Sequence, residues 1–207
     1  MARATLYGAL AQAFRPPSAS WREEWDEIVE CMDAALEVLA EGELAPGALF
    51  DGFELLRAAS GDEERLRREH ERLTRAGGTK PYEAECSGKA LADLTLELRD
   101  FYRAFGLELR PEADERPDHL ALELCFLAFL CVKEAQAEDQ AELEILGLVQ
   151  SAERRFLEEH LLPWVPEFCE QLRREQSLSF HACAAELLAQ FLEGEPARLE
   201  RCAHDQR

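Results

Sequence analysis

The chain lacks the short motifs that mark most enzyme active sites. It has no glycine-rich phosphate loop followed by lysine and serine or threonine, no G-x-G-x-x-G, no H-E-x-x-H and no G-x-S-x-G. A di-iron bundle needs Glu-x-x-His pairs, whereas the residues three positions before the histidines are Arg67, Arg116, Leu157, Leu178 and Arg201. A Cys–His nucleophile pair stays open, since it needs no local motif. We nevertheless expect that the protein is not an enzyme.

Cysteine pairs at metal-binding spacing are absent as well. The chain has seven cysteines but no Cys-x-x-Cys, so we expect no metal site and no bound cofactor. An odd number of cysteines fits a reducing compartment, where thiols stay free. Four of them fall within apolar helical patterns and are expected to be small core residues. These are Cys31, Cys125, Cys131 and Cys183.

Net positive charge and long apolar runs are also missing. The formal charge is -20, which argues against a nucleic-acid partner because phosphate backbones require a basic surface. No stretch approaches the roughly 20 apolar residues that span a bilayer, and residues 1–14 form an amphipathic stripe rather than the continuous apolar run of a secretory signal. We expect a cytoplasmic protein without stable membrane insertion. Its acidic charge is either a solubility device or a means of attracting a basic peptide.

Helical periodicity covers almost the whole chain. At 207 residues and 47% hydrophobic content the chain is long enough to bury a core, and it has no alternating strand pattern, fixed repeat or low-complexity tract. The prediction is an all-α fold, a compact bundle of about nine or ten helices, with residues 1–207 in a single domain. The polar run 110–116 is a candidate hinge between possible halves 1–109 and 117–195. Residues after Glu193 are expected to fray.

Residues 115–127 combine a charged turn with an apolar helix. Pro117 has no N–H to leave unpaired in a first helical turn, and Asp118 places negative charge where the helix dipole favours it, so the helix is expected to begin here. Its remaining residues are apolar on nearly every side, which is typical of a helix enclosed by others. Glu123 is the exception, and it lies four residues after His119 on the same face. A capped, buried helix with an internally satisfied polar pair is the simplest interpretation.

As a string, Glu115–Phe126 closely resembles the signature of the TorD/DmsD/NarJ family, the all-helical chaperones that mature molybdenum-containing redox enzymes. Residues 91–109 resemble the helix that precedes this signature, and residues 156–168 resemble the block that follows it. Lys80–Glu85 is similar to the Pro-Tyr-Glu loop of the family. Trp164 lies between two prolines in the third block and is expected to be a packing residue.

The resemblance implies a cytoplasmic chaperone that binds the apo catalytic subunit of a molybdopterin oxidoreductase of the DMSO reductase type, usually through its twin-arginine leader. It would assist cofactor insertion and folding before export or assembly. A helical groove rimmed by carboxylates suits two guanidinium groups followed by an apolar stretch. The candidate residues for client or leader binding are Glu115, Pro117, Asp118, His119, Glu123, Tyr82 and Glu83.

Within this set His119 is expected to orient a carboxylate and to make binding sensitive to pH near neutrality. Replacing Asp118 and His119 by Asn and Gln is expected to weaken client binding with little effect on stability.

Two other functions stay open. Arg99, Arg103 and Arg110 could meet the phosphates of a nucleotide or of a molybdenum cofactor, which would make the protein a cofactor- or nucleotide-binding assembly factor. Thr74 and Cys86 depart from the family pattern, which leaves room for a generic helical adaptor. The oligomeric state is open between a monomer and a domain-swapped homodimer, because hinge loops make swapping a low-cost route to dimers.

Overall fold

Ten α-helices and one π-helical turn make up most of the chain that the structure, a computed structural model, describes, namely residues 1–41, 47–61, 63–74, 78–110, 115–175 and 179–205. The helices are α1 (Ala2–Ala13), α2 (Trp21–Glu41), α3 (Gly47–Ala59), α4 (Glu63–Thr74), α5 (Glu83–Ser87), α6 (Leu91–Ala104), α7 (Leu120–Asp139), α8 (Leu143–Phe156), α9 (Val165–Glu175) and α10 (Phe180–Asp205). The π-helical turn, Leu157–Leu161, extends α8. These ranges contain no strand, and the predicted all-α bundle is confirmed.

The candidate hinge 110–116 falls mostly on residues 111–114, which lie outside the described residues. The division into halves 1–109 and 117–195 therefore stays a prediction.

Two enclosed helices, α1 and α7, form the centre of the bundle. Along α7, Leu120, Leu124 and Leu127 are fully buried, as the apolar pattern predicted. α1 is more enclosed than its amphipathic stripe suggested, because several of its alanines are buried together with Leu6 and Leu10. Small side chains let neighbouring helices approach closely, and α1 lies against α7, α2 and α10. This central pair positions the turn that precedes α7.

α7 begins later than predicted. Pro117 and Asp118 lie in a turn before the helix, and His119 is the N-cap residue. The Nδ1 atom of His119 accepts a hydrogen bond from the Ala121 amide at 3.1 Å. A neutral imidazole nitrogen thus replaces the serine or aspartate oxygen that usually satisfies an amide of the first turn.

The last helix continues past Glu193, where fraying was predicted. α10 runs through Pro196 to Asp205, and Glu195, Arg198 and Leu199 are buried. Their polar groups are paired inside the protein rather than with solvent, so a polar composition did not indicate disorder here.

A buried charge cluster of Arg3, Glu134, Glu153, Glu195 and Arg198 joins α1, α7, α8 and α10. Arg3 bonds to Glu134 at 2.8 Å and also to Glu153 and Glu195. Arg198 reaches Glu134 at 3.1 Å and Glu153 at 2.6 Å. Burial raises the pKa of Glu195, but the Arg3 guanidinium outweighs that effect and holds this pKa below its ordinary value. The cluster fixes the carboxyl-terminal helix to the core.

Cysteine positions agree with the prediction except on α2. Cys131 and Cys183 are buried and Cys125 is half-buried, but Cys31 is exposed. The inward face of α2 is formed by Met32 and its helical neighbours, which turns Cys31 toward solvent. In the part of the chain described, no helix is long and apolar enough to cross a membrane.

Candidate functional site

The Pro-Tyr-Glu loop and the turn before α7 are joined by backbone hydrogen bonds. The Glu83 amide donates to the Asp118 carbonyl at 3.0 Å, and the Leu120 amide donates to the Pro81 carbonyl at 2.9 Å. An isolated antiparallel β-bridge between Tyr82 and His119 adds to these two hydrogen bonds. The structure thus brings all seven sequence-predicted site residues to one junction, formed by residues 80–89 and 115–123.

The Asp118 carboxylate is fully buried at this junction, and both of its oxygens are occupied. The Arg116 guanidinium binds this carboxylate in a bidentate manner, with Nε 2.9 Å from Oδ1 and Nη2 2.6 Å from Oδ2. The Ala84 amide also donates to Oδ2 at 3.2 Å. Bidentate, charge-assisted contacts of this kind are among the stronger hydrogen bonds in proteins. Asp118 therefore fastens the turn to α5, and it presents no oxygen at the surface.

Four residues surround that buried carboxylate at the surface and form what we call the exposed rim. Glu85 is exposed, and Tyr82, Glu115 and Arg116 are half-buried. The Glu115 Oε1 atom accepts hydrogen bonds from the Tyr82 hydroxyl and from the Arg116 amide, both at 2.9 Å. The Arg116 guanidinium lies 4.4 Å from the centre of the Tyr82 ring, and its Nη1 is 3.5 Å from Glu85. Burial and the bond to Glu115 raise the pKa of Tyr82 to about 12, so the phenol stays a hydrogen-bond donor. The carboxylates of Glu85 and Glu115 are the ones that a ligand can reach.

His119 is buried behind the rim and is neutral near pH 7. Burial lowers its pKa to about 4, although the neighbouring carboxylate of Glu115, 3.8 Å from Nε2, acts in the opposite direction. The ring packs edge-on against Tyr82, with centroids 5.0 Å apart. The expectation that His119 changes charge near neutrality is wrong, because removal from water outweighs the nearby negative charge.

Glu83 links the junction to the π-helical turn. Its carboxylate is fully buried, with Oε1 2.8 Å from the Lys89 ammonium and Oε2 3.0 Å from Nδ1 of His160. Lys89 also donates to the Glu159 carbonyl at 2.8 Å. His160 lies within the π-helical turn. Since such turns are rare and often occur at functional sites, its contact with Glu83 is a candidate for a functional role.

Glu123 is the third fully buried carboxyl group of the junction. Burial raises its pKa well above the ordinary value, and the nearby carboxylates of Glu83 and Asp118 raise it further. Its environment thus favours the protonated form, and the group lies next to the indole of Trp164. Trp164 is itself buried and packs against Phe168 with ring centroids 5.5 Å apart, which agrees with its predicted packing role.

Sequence reasoning located the junction but missed its basic partners. Arg116 pairs with Asp118, and Lys89 and His160 pair with Glu83. None of these three is among the predicted site residues. Arg116 stood inside the signature and could have been noticed as the one cation next to Asp118. The contacts of Lys89 and His160 join residues far apart in the chain, and no local spacing indicates them.

The arginines considered for phosphate binding surround only a small space. Arg99 and Arg103 line a cavity of about 200 Å³ together with Glu108, whose carboxylate is 3.9 Å from Arg103. Arg110 is exposed at the end of its described segment. Cavities that hold small ligands are usually about 300–1,000 Å³, so this geometry does not favour a nucleotide. Within the described ranges, no group of three or more His, Cys, Asp or Glu side chains has the arrangement of a metal site.

Comparison with known proteins finds similarity to assembly chaperones. The perchlorate reductase assembly chaperone protein of Dechloromonas aromatica is 37% identical over 102 residues, which are 48% of this chain and 44% of that protein. The selenate reductase assembly chaperone protein of Thauera selenatis is 38% identical over 104 residues, 50% of this chain and 51% of that protein. The chaperone protein TorD of Vibrio cholerae is 32% identical over 97 residues, 47% of this chain and 43% of that protein. The chain thus matches about half the length of these relatives.

A longer match is found at the level of the protein family. Residues 16–170 match the family described as nitrate reductase delta subunit, and this range contains the whole junction. The match covers well over half of the chain and agrees with the resemblance carried by the signature segment. The chain therefore belongs to the nitrate reductase delta subunit family, the family of TorD and NarJ.

Proposed function

We propose that this protein is a cytoplasmic chaperone for the assembly of a molybdopterin oxidoreductase of the DMSO reductase type. It binds the apo catalytic subunit and keeps it competent for cofactor insertion and folding before export or assembly. It catalyses no reaction itself. The family match over residues 16–170 carries the proposal, and the similarity to the perchlorate and selenate reductase assembly chaperones agrees with it.

The exposed rim is the proposed contact for the two arginines of the client leader. Glu85 and Glu115 offer carboxylate oxygens beside the Tyr82 ring, which suits planar guanidinium groups. The buried Asp118 carboxylate holds the Arg116 guanidinium and so fixes the position of Arg116 in the rim. Pro117, His119, Glu123 and Glu83 support the junction from positions that are buried.

The proposal is tested with a synthetic leader peptide of the candidate oxidoreductase. We expect the peptide to bind in a calorimetric titration, and we expect Glu85→Gln with Glu115→Gln to weaken binding by about tenfold or more. The matched control is Glu23→Gln with Asp33→Asn, two exposed positions of α2 that change the net charge equally. Equal losses in both double variants would mean that the rim contributes only general charge.

Affinity capture identifies the client itself. Tagged full-length protein is isolated from its native cytoplasm, and the bound proteins are identified by mass spectrometry. Recovery of an apo oxidoreductase subunit that still carries its leader is the expected result. Repeated recovery of unrelated proteins only, while that enzyme is expressed, would contradict the proposed function.

A further inference from the structure

A wide groove lies between α6 and α8, outside the junction. It has a volume of about 680 Å³, within the range of roughly 300–1,000 Å³ that is usual for ligand sites. Phe101 of α6, Phe105 just after that helix, and Leu148 of α8 supply its large apolar side chains. Phe101 packs against Phe156 at a ring distance of 5.3 Å, so aromatic rings bridge the two helices at the base of the groove.

Each wall of the groove is one face of a helix. On α6 the lining residues 97, 100, 101 and 104 follow helical spacing, and on α8 residues 148, 151, 152 and 155 do the same. Leu148 is 69% exposed. Scattered exposed leucines are ordinary, but apolar side chains that line two facing helices form a continuous surface. The small residues Ala104 and Ala152 leave room between the walls for a third helix.

The charges at the edges of the groove are predominantly negative. Glu97 and Asp100 line the groove, and among the described residues neither has an ion-pair partner. Arg155, the only cation among the lining residues, is 3.0 Å from the Glu159 carboxylate and 4.9 Å from the Phe101 ring. Its charge is therefore compensated within α8 and its extension. The groove combines an apolar floor with an uncompensated acidic edge.

We propose that this groove binds an amphipathic helix of a partner polypeptide, with leucine-sized side chains on one face and Lys or Arg beside them. The apolar face lies on Phe101, Phe105 and Leu148, and the basic residues meet Glu97 and Asp100. Helices bind grooves of this kind through anchors at positions i, i+3 or i+4, and i+7. A second copy of this chain is the poorer occupant, because it presents the same acidic face and the chain carries a net charge of -20. The proposal does not depend on leader binding at the exposed rim.

The test uses the full chain and a fluorescent Leu/Lys peptide of about 18 residues, long enough for five helical turns. A second peptide of the same composition has its leucines distributed around the helix, so that it keeps the charge and loses the apolar face. Anisotropy is measured for the unchanged protein, for Leu148→Gln, and for Glu97→Gln with Asp100→Asn. The controls are Leu143→Gln, a similarly exposed leucine of α8 that does not line the groove, and Glu23→Gln with Asp33→Asn on α2.

We expect the amphipathic peptide to bind at least about tenfold more tightly than its redistributed counterpart. Leu148→Gln and the groove charge variant should each lose about tenfold in affinity, and the two controls should not. Equal binding of both peptides, or equal losses in groove and control variants, would overturn the proposal. Light scattering that shows a dimer of the unchanged protein, lost in Leu148→Gln, would overturn it in favour of a second copy.

Discussion

At the scale of single residues, the pair formed by the buried Asp118 and the half-buried Arg116 stabilises the junction. Both oxygens of Asp118 bond within the chain, to the Arg116 guanidinium and the Ala84 amide. The expectation that Asp118 and His119 can be replaced by Asn and Gln without loss of stability does not fit this geometry, because the first change removes charge-assisted bonds and the second alters the N-cap of α7.

Asp118→Asn should lower the free energy of unfolding by about 2 kcal/mol, because the neutral amide of asparagine cannot accept two charge-assisted hydrogen bonds from the Arg116 guanidinium. Urea denaturation followed by circular dichroism measures the change. Glu54→Gln is the control, since its 2.8 Å pair with Arg57 is exposed and should contribute less than about 0.5 kcal/mol. If both variants unfold at the same urea concentration, the buried pair does not stabilise the fold.

Glu123→Gln should stabilise the protein at neutral pH. The folded-state pKa of Glu123 lies well above 4.5, so the folded protein keeps a proton that the unfolded chain releases. The resulting stability is full below the unfolded pKa and declines as pH rises through the folded pKa. A neutral glutamine avoids this decline.

Unfolding free energies measured from pH 5 to pH 8 test this prediction. The advantage of Glu123→Gln over the unchanged protein should grow with pH, whereas Glu138→Gln, exposed on the same helix, should show no such trend. A constant or shrinking difference would mean that Glu123 is ionised in the folded protein.

The residues of the junction could be read from the sequence, but their exposure could not. The signature and the Pro-Tyr-Glu loop indicated the position of the carboxylates. Whether a carboxylate is free or paired depends on cations brought close by folding, such as Lys89 beside Glu83. That Glu85 is exposed and Glu115 half-buried is therefore known only from the packed structure.

At the scale of elements, α10 depends on contacts with the first helix. Arg3 bonds to Glu195, and Arg198 lies within the same cluster, so the last turns of α10 are held by α1. Arg3→Met should lower the free energy of unfolding by about 3–5 kcal/mol, since it leaves buried carboxylates with less compensation. Hydrogen exchange should also become faster in residues 195–205.

The control for this change is Arg67→Met, which breaks an exposed 2.9 Å pair with Glu63 on α4. Its effect should stay below about 1 kcal/mol. Unchanged exchange in residues 195–205 of the Arg3 variant would show that α10 is held by its apolar contacts alone.

Helix type was predictable from periodicity, whereas two helix boundaries were not. The start of α7 moved because His119 takes the N-cap position, an unusual role for an imidazole. The end of α10 moved because Glu195 and Arg198 appear solvent-exposed in sequence but pair with residues of other helices. Long-range pairing, rather than local propensity, decided that second boundary.

At the scale of the whole molecule, the net charge of -20 raises the rate at which a basic ligand associates. Association of the leader peptide should slow by about tenfold between low and physiological ionic strength, because salt screens long-range attraction. Dissociation should change less. Stopped-flow fluorescence at several salt concentrations separates the two rates, and an association rate independent of salt would contradict electrostatic steering.

The π-helical turn limits how many residues can connect α8 to α9. Each residue of an α-helix turns the chain by about 100°, and Leu157–Leu161 is wound more widely than that. Removing one residue between Phe156 and His160 would restore regular winding and move His160 by one helical position. Its Nδ1 atom would then leave the Glu83 carboxylate. The number of residues between Phe156 and His160 is therefore fixed by geometry, and this segment should accept substitutions more readily than insertions or deletions.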